Sequence, residues 1–463
     1  MKENSPHTLT NSPAAVWWIA AAAFVFASFC RASLTWDGSY FLLQTLQHGT
    51  PFVAAHRWFD WILQEPVALL QPWVHKPAKL AVVHSLMCSL PPLFSLAVCL
   101  LMLRGAQSRL RIWPVIGILL VPLPVEIFLI TEVTPAIQLA WILFIFAWRG
   151  CPPRWFPVVV LAMIAMSGLH PAAAPLFLIA AMMAFAFAVP AEPAGRRRII
   201  ACGLFFAAAS VAQLARSMLA ATPYERASMS PWVWIAELYS GLRFSPFPAL
   251  VPVLVDLALY AWTLASGNPK ARPRKLSILL WCAAFALGGL HAFDYAGWVC
   301  AINYRKFVIV VTAPVALVAS IDAWKLQRNA ASRPDNPGLR IAPIVPAALF
   351  ALVFCGMAFS WRMLCGSFAG QLAAYPAVVM NFGDLPANER NSALNHWSAT
   401  SLSLVLQDWE PRKILIWDRS LQLAGNRFCI CPAEEFPCED RRFKLAWIAS
   451  LAVPPPQEGA PQR

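Results

Sequence analysis

Long apolar runs alternate with short polar stretches along most of the chain. A helix needs about 20 consecutive apolar residues to cross a hydrocarbon core. Eleven stretches approach that length: 15–32, 83–103, 112–130, 133–148, 155–170, 172–190, 199–217, 248–265, 276–293, 306–323 and 341–360. The pattern predicts an all-α polytopic membrane protein. Every second connection is basic: RGAQSRLR (104–111), RGCPPR (149–154), AGRRR (194–198), GNPKARPRK (267–275) and WKLQRNAASRPDNPGLR (324–340). The intervening ones carry few Lys or Arg for their length. Because basic loops stay cytoplasmic, the N-terminus is expected inside. Residues 32–82 and everything after about 361 then face outward. The expected division is a cytoplasmic tail (1–14), a membrane body (15–360) and a periplasmic C-terminal domain (361–463). The first apolar run lacks a strong basic n-region and reads as an uncleaved anchor in the cytoplasmic membrane of a bacterium.

Two stretches of the first outward segment are amphipathic rather than uniformly apolar. GSYFLLQTLQHG (38–49) gathers Tyr40, Phe41, Leu42 and Leu46 on one broad side and ends at Gly49. HRWFDWILQEPVALLQPW (56–73) sets Arg57, Asp60, Gln64 and Glu65 among aromatic rings. Helices of this kind lie in the headgroup layer. Near the other end, NSALNHWSATSLSLVLQDW (391–409) has helical spacing and RKILIWDRS (412–420) a short β-like run. A small α/β domain is expected there.

Composition agrees with the membrane assignment. Of 463 residues, 59% are hydrophobic and 13% charged, against about 25% charged in soluble domains. The formal charge of +13 resides largely in the basic loops, so it speaks for topology and not for nucleic acid. Among twelve cysteines, Cys365, Cys429, Cys431 and Cys438 fall in the outward tail, where disulfides are expected. Their spacing does not suit zinc, and no His lies close by, so no metal centre is expected.

Candidate chemistry begins at SLTWDGSYFLLQTL (33–46), where Asp37 stands just past the first apolar run. The layout resembles the GT-C superfamily of integral membrane glycosyltransferases: many spans, an inward N-terminus, a long first outward loop with interfacial helices, and an acidic residue directly after the first span. The resemblance implies a polyprenyl-phosphate-linked sugar donor and a glycan or lipid acceptor. It also implies that Asp37 takes the proton of an acceptor hydroxyl. A helix N-cap is the rival role for this residue. Many members carry a paired acidic motif, whereas Asp37 stands alone until Asp60, so a divalent metal is not supported. A phosphate leaving group calls for cations. Arg57, Lys76, Arg226, Arg243, Arg305 and Lys306 share the outward side, and NYRKF (303–307) is favoured, with Tyr304, Arg305 and Lys306 together. Arg305 and Lys306 equally suit snorkelling at a helix end. His170 in SGLHPAAAP can orient a hydroxyl or simply stop a helix. Glu126 and Glu132 flank a hairpin tip. An O-antigen ligase or polymerase, and a transporter or flippase, are the alternatives. The second would want charge at mid-span, where Asp256 stands out, and no ATP-binding loop motif is present.

Overall fold

The computed structural model describes residues 13–35, 37–53, 57–74, 76–104, 108–123, 133–220, 247–266, 274–293, 304–328, 342–374, 379–381, 399–406, 414–416, 427–429 and 442–444. Helices dominate them. In chain order they are α1 (Pro13–Phe29), α2 (Asp37–His48), α3 (Phe59–Leu70), α4 (Pro77–Cys88), α5 (Leu90–Met102), α6 (Ile112–Val115), α7 (Val133–Trp148), α8 (Phe156–Leu169), α9 (Ala173–Ala188), α10 (Pro193–Ala220), α11 (Phe247–Ser266), α12 (Arg274–Phe293), α13 (Tyr304–Arg328), α14 (Ile344–Ala374) and α15 (Ala399–Leu406). A π-helical turn, Ile116–Leu120, extends α6. Helical residues fall within every one of the apolar stretches. Four helices are long and apolar enough to cross a membrane by length and composition: Pro77–Met102, Pro193–Ala220, Pro248–Ser266 and Ile344–Gly370. Shorter apolar helices include Pro13–Phe29, Val133–Trp148 and Ala173–Ala188.

The core gathers around α7, which is buried along nearly its whole length. A helix apolar all round belongs in such a position. Its Trp141 ring occupies the space above Gly117 of the π turn, where a Cβ would come within 1.8 Å of the indole. The first and last long helices pack together, with Phe24 of α1 at 4.9 Å from the Phe354 ring and 5.4 Å from the Phe350 ring of α14. Trp361 of α14 donates through Nε1 to the Arg31 carbonyl at 3.1 Å. α10 buries Ile199, Cys202, Gly203, Phe206 and Gln213 along one stripe. Its opposite side exposes Leu204, Val211, Leu214 and Met218, as a helix in contact with lipid would.

α14 runs beyond the expected end at 360 and takes Cys365 with it. That residue is a free, buried cysteine inside the helix, so the expected set of four bridging tail cysteines is corrected. Apolar residues past Phe359, among them Leu364 and Phe368, continue the buried stripe and carry the helix on. Cys431 and Cys438 lie outside the described residues. In the tail, β1 (Val379–Asn381) pairs in parallel with β2 (Ile414–Ile416), and β3 (Arg427–Cys429) pairs antiparallel with β4 (Arg442–Lys444). The strand expected within 412–420 is β2, and the helix expected over 391–409 appears as α15.

Candidate functional site

The chain leaves α1 through a tight, fixed turn. Arg31 takes a left-handed conformation (φ 58°) and a single 3-10 turn, Ala32–Leu34, follows. Ser33 is held by α4, its Oγ lying 2.6 Å from Ser85 Oγ. The Gly38 amide donates to the Thr35 carbonyl at 3.0 Å. Asp37 is therefore set down as the first residue of α2 on a constrained backbone; its side chain lies outside the described residues. α2 ends at His48, and Gly49 (φ 65°) supplies the left-handed residue after it.

α3 is joined to α2 by one buried side chain. Gln64 accepts from Thr45 Oγ1 at 2.6 Å and from the Phe52 amide at 3.0 Å, and returns a bond from Nε2 to the Phe52 carbonyl at 3.0 Å. The segment Gly49–Val53 is thereby pinned against both helices. α3 turns Leu63, Gln64, Val67 and Ala68 inward and leaves Trp61, Ile62 and Leu69 exposed. The amphipathic run expected over 56–73 is thus a helix with an apolar outer face.

Just before α3, Trp58 lies against α8 at Gly168, where an added Cβ would approach the indole Cε2 to 2.3 Å. This contact brings Arg57 beside the end of α8. There Arg57, Ser167, His170, Gln213, Arg216 and Ser217 line a narrow cleft with about 30 Å³ of free space. Each wall is anchored. Arg216 Nη1 donates to the Ser167 carbonyl at 2.8 Å. Gln213 Nε2 lies 3.4 Å from the carbonyls of both Ser167 and His170. His170 caps α8 in an extended conformation, and its Nδ1 accepts the Ala172 amide at 3.0 Å. That bond places the neutral ring's proton on Nε2. Two guanidinium groups and an imidazole N–H donor thus converge at one cleft, with no carboxylate among its lining residues. Such a donor set fits an anionic oxygen group.

Arg57 and His170, singled out separately in the sequence, meet here. Arg216 and Gln213 were not anticipated; the signal was a polar pair three residues apart near the end of an otherwise lipid-facing helix. α13 opens at Tyr304, but the side chains of Tyr304, Arg305 and Lys306 lie outside the described residues, as do Arg226, Arg243, Glu126 and Glu132. Lys76 is exposed ahead of α4. Among the described residues no group of three His, Cys, Asp or Glu is placed to hold a metal ion.

Buried charge also occurs toward the opposite ends of the helices. Asp322 of α13 accepts from Trp113 Nε1 at 2.9 Å and from the Tyr260 hydroxyl at 2.5 Å, one donor on each oxygen. Ser320 accepts from Trp148 Nε1 at 2.9 Å, and Lys325 donates to the Leu264 carbonyl. Asp256, noted in the sequence, accepts from Trp281 Nε1 at 3.1 Å. These bonds tie α6, α7, α11 and α13 together.

Comparison with protein-family models, with curated proteins and with solved structures finds no match.

Proposed function

We propose that the protein is a membrane-embedded glycosyltransferase of the GT-C kind. In this reading it moves a sugar from a polyprenyl-phosphate-linked donor to a glycan or lipid acceptor on the outer face of a bacterial cytoplasmic membrane. The observation that carries the reading is the cleft of Arg57, His170, Gln213 and Arg216, beneath a first segment that is tied to the helix opening at Asp37. Phosphate oxygens of the donor would lie against the two guanidinium groups, which stabilise the negative charge left as the glycosidic bond breaks. His170 Nε2 would donate to a phosphate oxygen or a sugar hydroxyl. Asp37 would accept the acceptor's proton. The exposed apolar face of α3 suits the headgroup layer, where a lipid-linked substrate presents its phosphate. The eleven-span topology with an inward N-terminus and an outward C-terminal α/β domain belongs to the same proposal.

The test is transfer of radiolabelled sugar from polyprenyl-phosphate donors in membranes carrying the protein. Asp37→Asn is expected to lower transfer about 10²- to 10⁴-fold, the range of general-base contributions, with expression and insertion unchanged. Full activity in that variant sinks the base assignment. The Arg–His–Arg composition of the cleft also favours a second reading, an O-antigen ligase or polymerase. Under it, His170→Asn abolishes glycan joining and Asp37→Asn spares it.

A further inference from the structure

A second cavity, of about 380 Å³, lies between the segment Gly49–Val53 and α3, with Gly49, Val53, Trp61, Glu65 and Leu69 among its lining. That volume lies in the range of about 300–1,000 Å³ common to small-molecule sites. The anion cleft, at about 30 Å³, is too narrow for a sugar ring. The cavity wall is prebuilt, because Gln64 holds the Phe52 backbone by both its amide and its carbonyl.

Two acceptor oxygens at this wall have no hydrogen-bond partner among the described residues: Glu65 Oε2 and Gln71 Oε1, both buried. Buried acceptors are normally satisfied. The Gln71 amide cannot turn to relieve its own, because Nε2 is committed to the Leu46 carbonyl at 2.5 Å. Its Oε1 lies 4.0 Å from the position a Cβ on Gly49 would take. The exposed indole of Trp61 adds an aromatic surface.

We infer that this cavity is a subsite for a glycosyl unit of the acceptor, whose hydroxyls donate to Glu65 and Gln71 and whose C–H face rests on Trp61. A plain hydrocarbon would leave both acceptors unsatisfied. An anionic group would be repelled by Glu65 and belongs in the cleft. Arg57 and Glu65 stand eight residues apart, about 12 Å along a helical rise. A phosphate at Arg57 followed by one donor ring takes up most of that span, so the ring at Glu65 is the acceptor's. The assignment to the acceptor rests on the glycosyl-transfer reading; occupancy by a sugar does not.

The experiment is saturation-transfer NMR on the full chain in nanodiscs, with the methyl glycosides of glucose, galactose, mannose and glucosamine as probes. Transfer to ring C–H protons of at least one probe is expected. Trp61→Ala and Glu65→Gln should each weaken that binding five-fold or more, while Arg57→Gln leaves it unchanged and thermal unfolding confirms that each variant is folded. No transfer from any probe, or transfer that survives both Trp61→Ala and Glu65→Gln, overturns the assignment. Glycoside binding without sugar-transfer activity keeps the subsite and fells the transferase reading. Sugar transfer with an unaltered acceptor KM in Trp61→Ala does the reverse.

Discussion

Gly168 and Trp58 form a knob-and-socket contact between α8 and the first outward segment: an added Cβ on the glycine would stand 2.3 Å from the indole Cε2. Because α8 and that segment line the anion cleft together, the contact sets where Arg57 stands relative to His170. Gly168→Ala should force the indole away. Overpacking of this kind costs about 1–3 kcal/mol. The expected result is a lower unfolding midpoint in detergent and faster proteolytic cutting between residues 49 and 58. Adding Trp58→Leu should restore much of the loss.

Arg216 serves two partners, the Ser167 carbonyl and the mouth of the cleft. Lys in its place keeps the charge but loses the planar fork that grips two oxygens. Arg216→Lys is therefore expected to raise the donor KM about ten-fold or more, with a smaller change in kcat, in a steady-state transfer assay. Equal loss in both parameters would point to a structural role alone.

Asp322 receives an indole N–H and a phenol O–H on its two oxygens. Trp113→Phe removes one donor from a buried carboxylate, which costs about 1–3 kcal/mol. Asp322→Asn should cost a similar amount, since one of its amide protons would then face a donor. The double variant should lose less than the sum, because both changes break the same bond. Thermal unfolding of the four proteins measures this coupling.

Cys151 stands after α7 with φ 54°, and its thiol is hydrogen-bonded to that of Cys202. That bond, with burial second, pushes the Cys151 thiol well above the usual range. Since the thiolate is the reactive form, maleimide at pH 8 should leave Cys151 unmodified until the protein is denatured. Cys202→Ala removes the larger cause and should speed the labelling. Mass spectrometry of tryptic peptides reads both outcomes.

Much of the helical layout was legible because periodicity and apolar length act locally. Gly49 announced the end of α2, and the amphipathic run after Arg57 announced α3. What could not be read were distances closed by packing. Nothing near Arg216 in the sequence points to Ser167; a turn of α8 and the whole of α9 intervene. Asp322 looked like one polar residue near a helix end, and only the bundle brings Trp113 and Tyr260 to it. The reach of α14 past 360 was missed for a different reason. Polar Ser360 and Arg362 interrupt the hydropathy there, while Trp361, Leu364, Cys365 and Phe368 keep the helix packed.

The unbroken α10 acts as a ruler. Arg198, whose Nε and Nη2 hold the Gly150 carbonyl at 3.2 and 3.0 Å, and Arg216 in the cleft stand eighteen residues apart, about 27 Å on a helix. That matches the thickness of a bilayer's hydrocarbon core, about 30 Å. An upright α10 thus lays one guanidinium in each headgroup layer, and the depth of the cleft is set by lipid thickness as much as by protein contacts. In bilayers a few ångströms thicker, Arg216 would be drawn toward the acyl chains, so the length of the surrounding lipids becomes a variable of substrate capture.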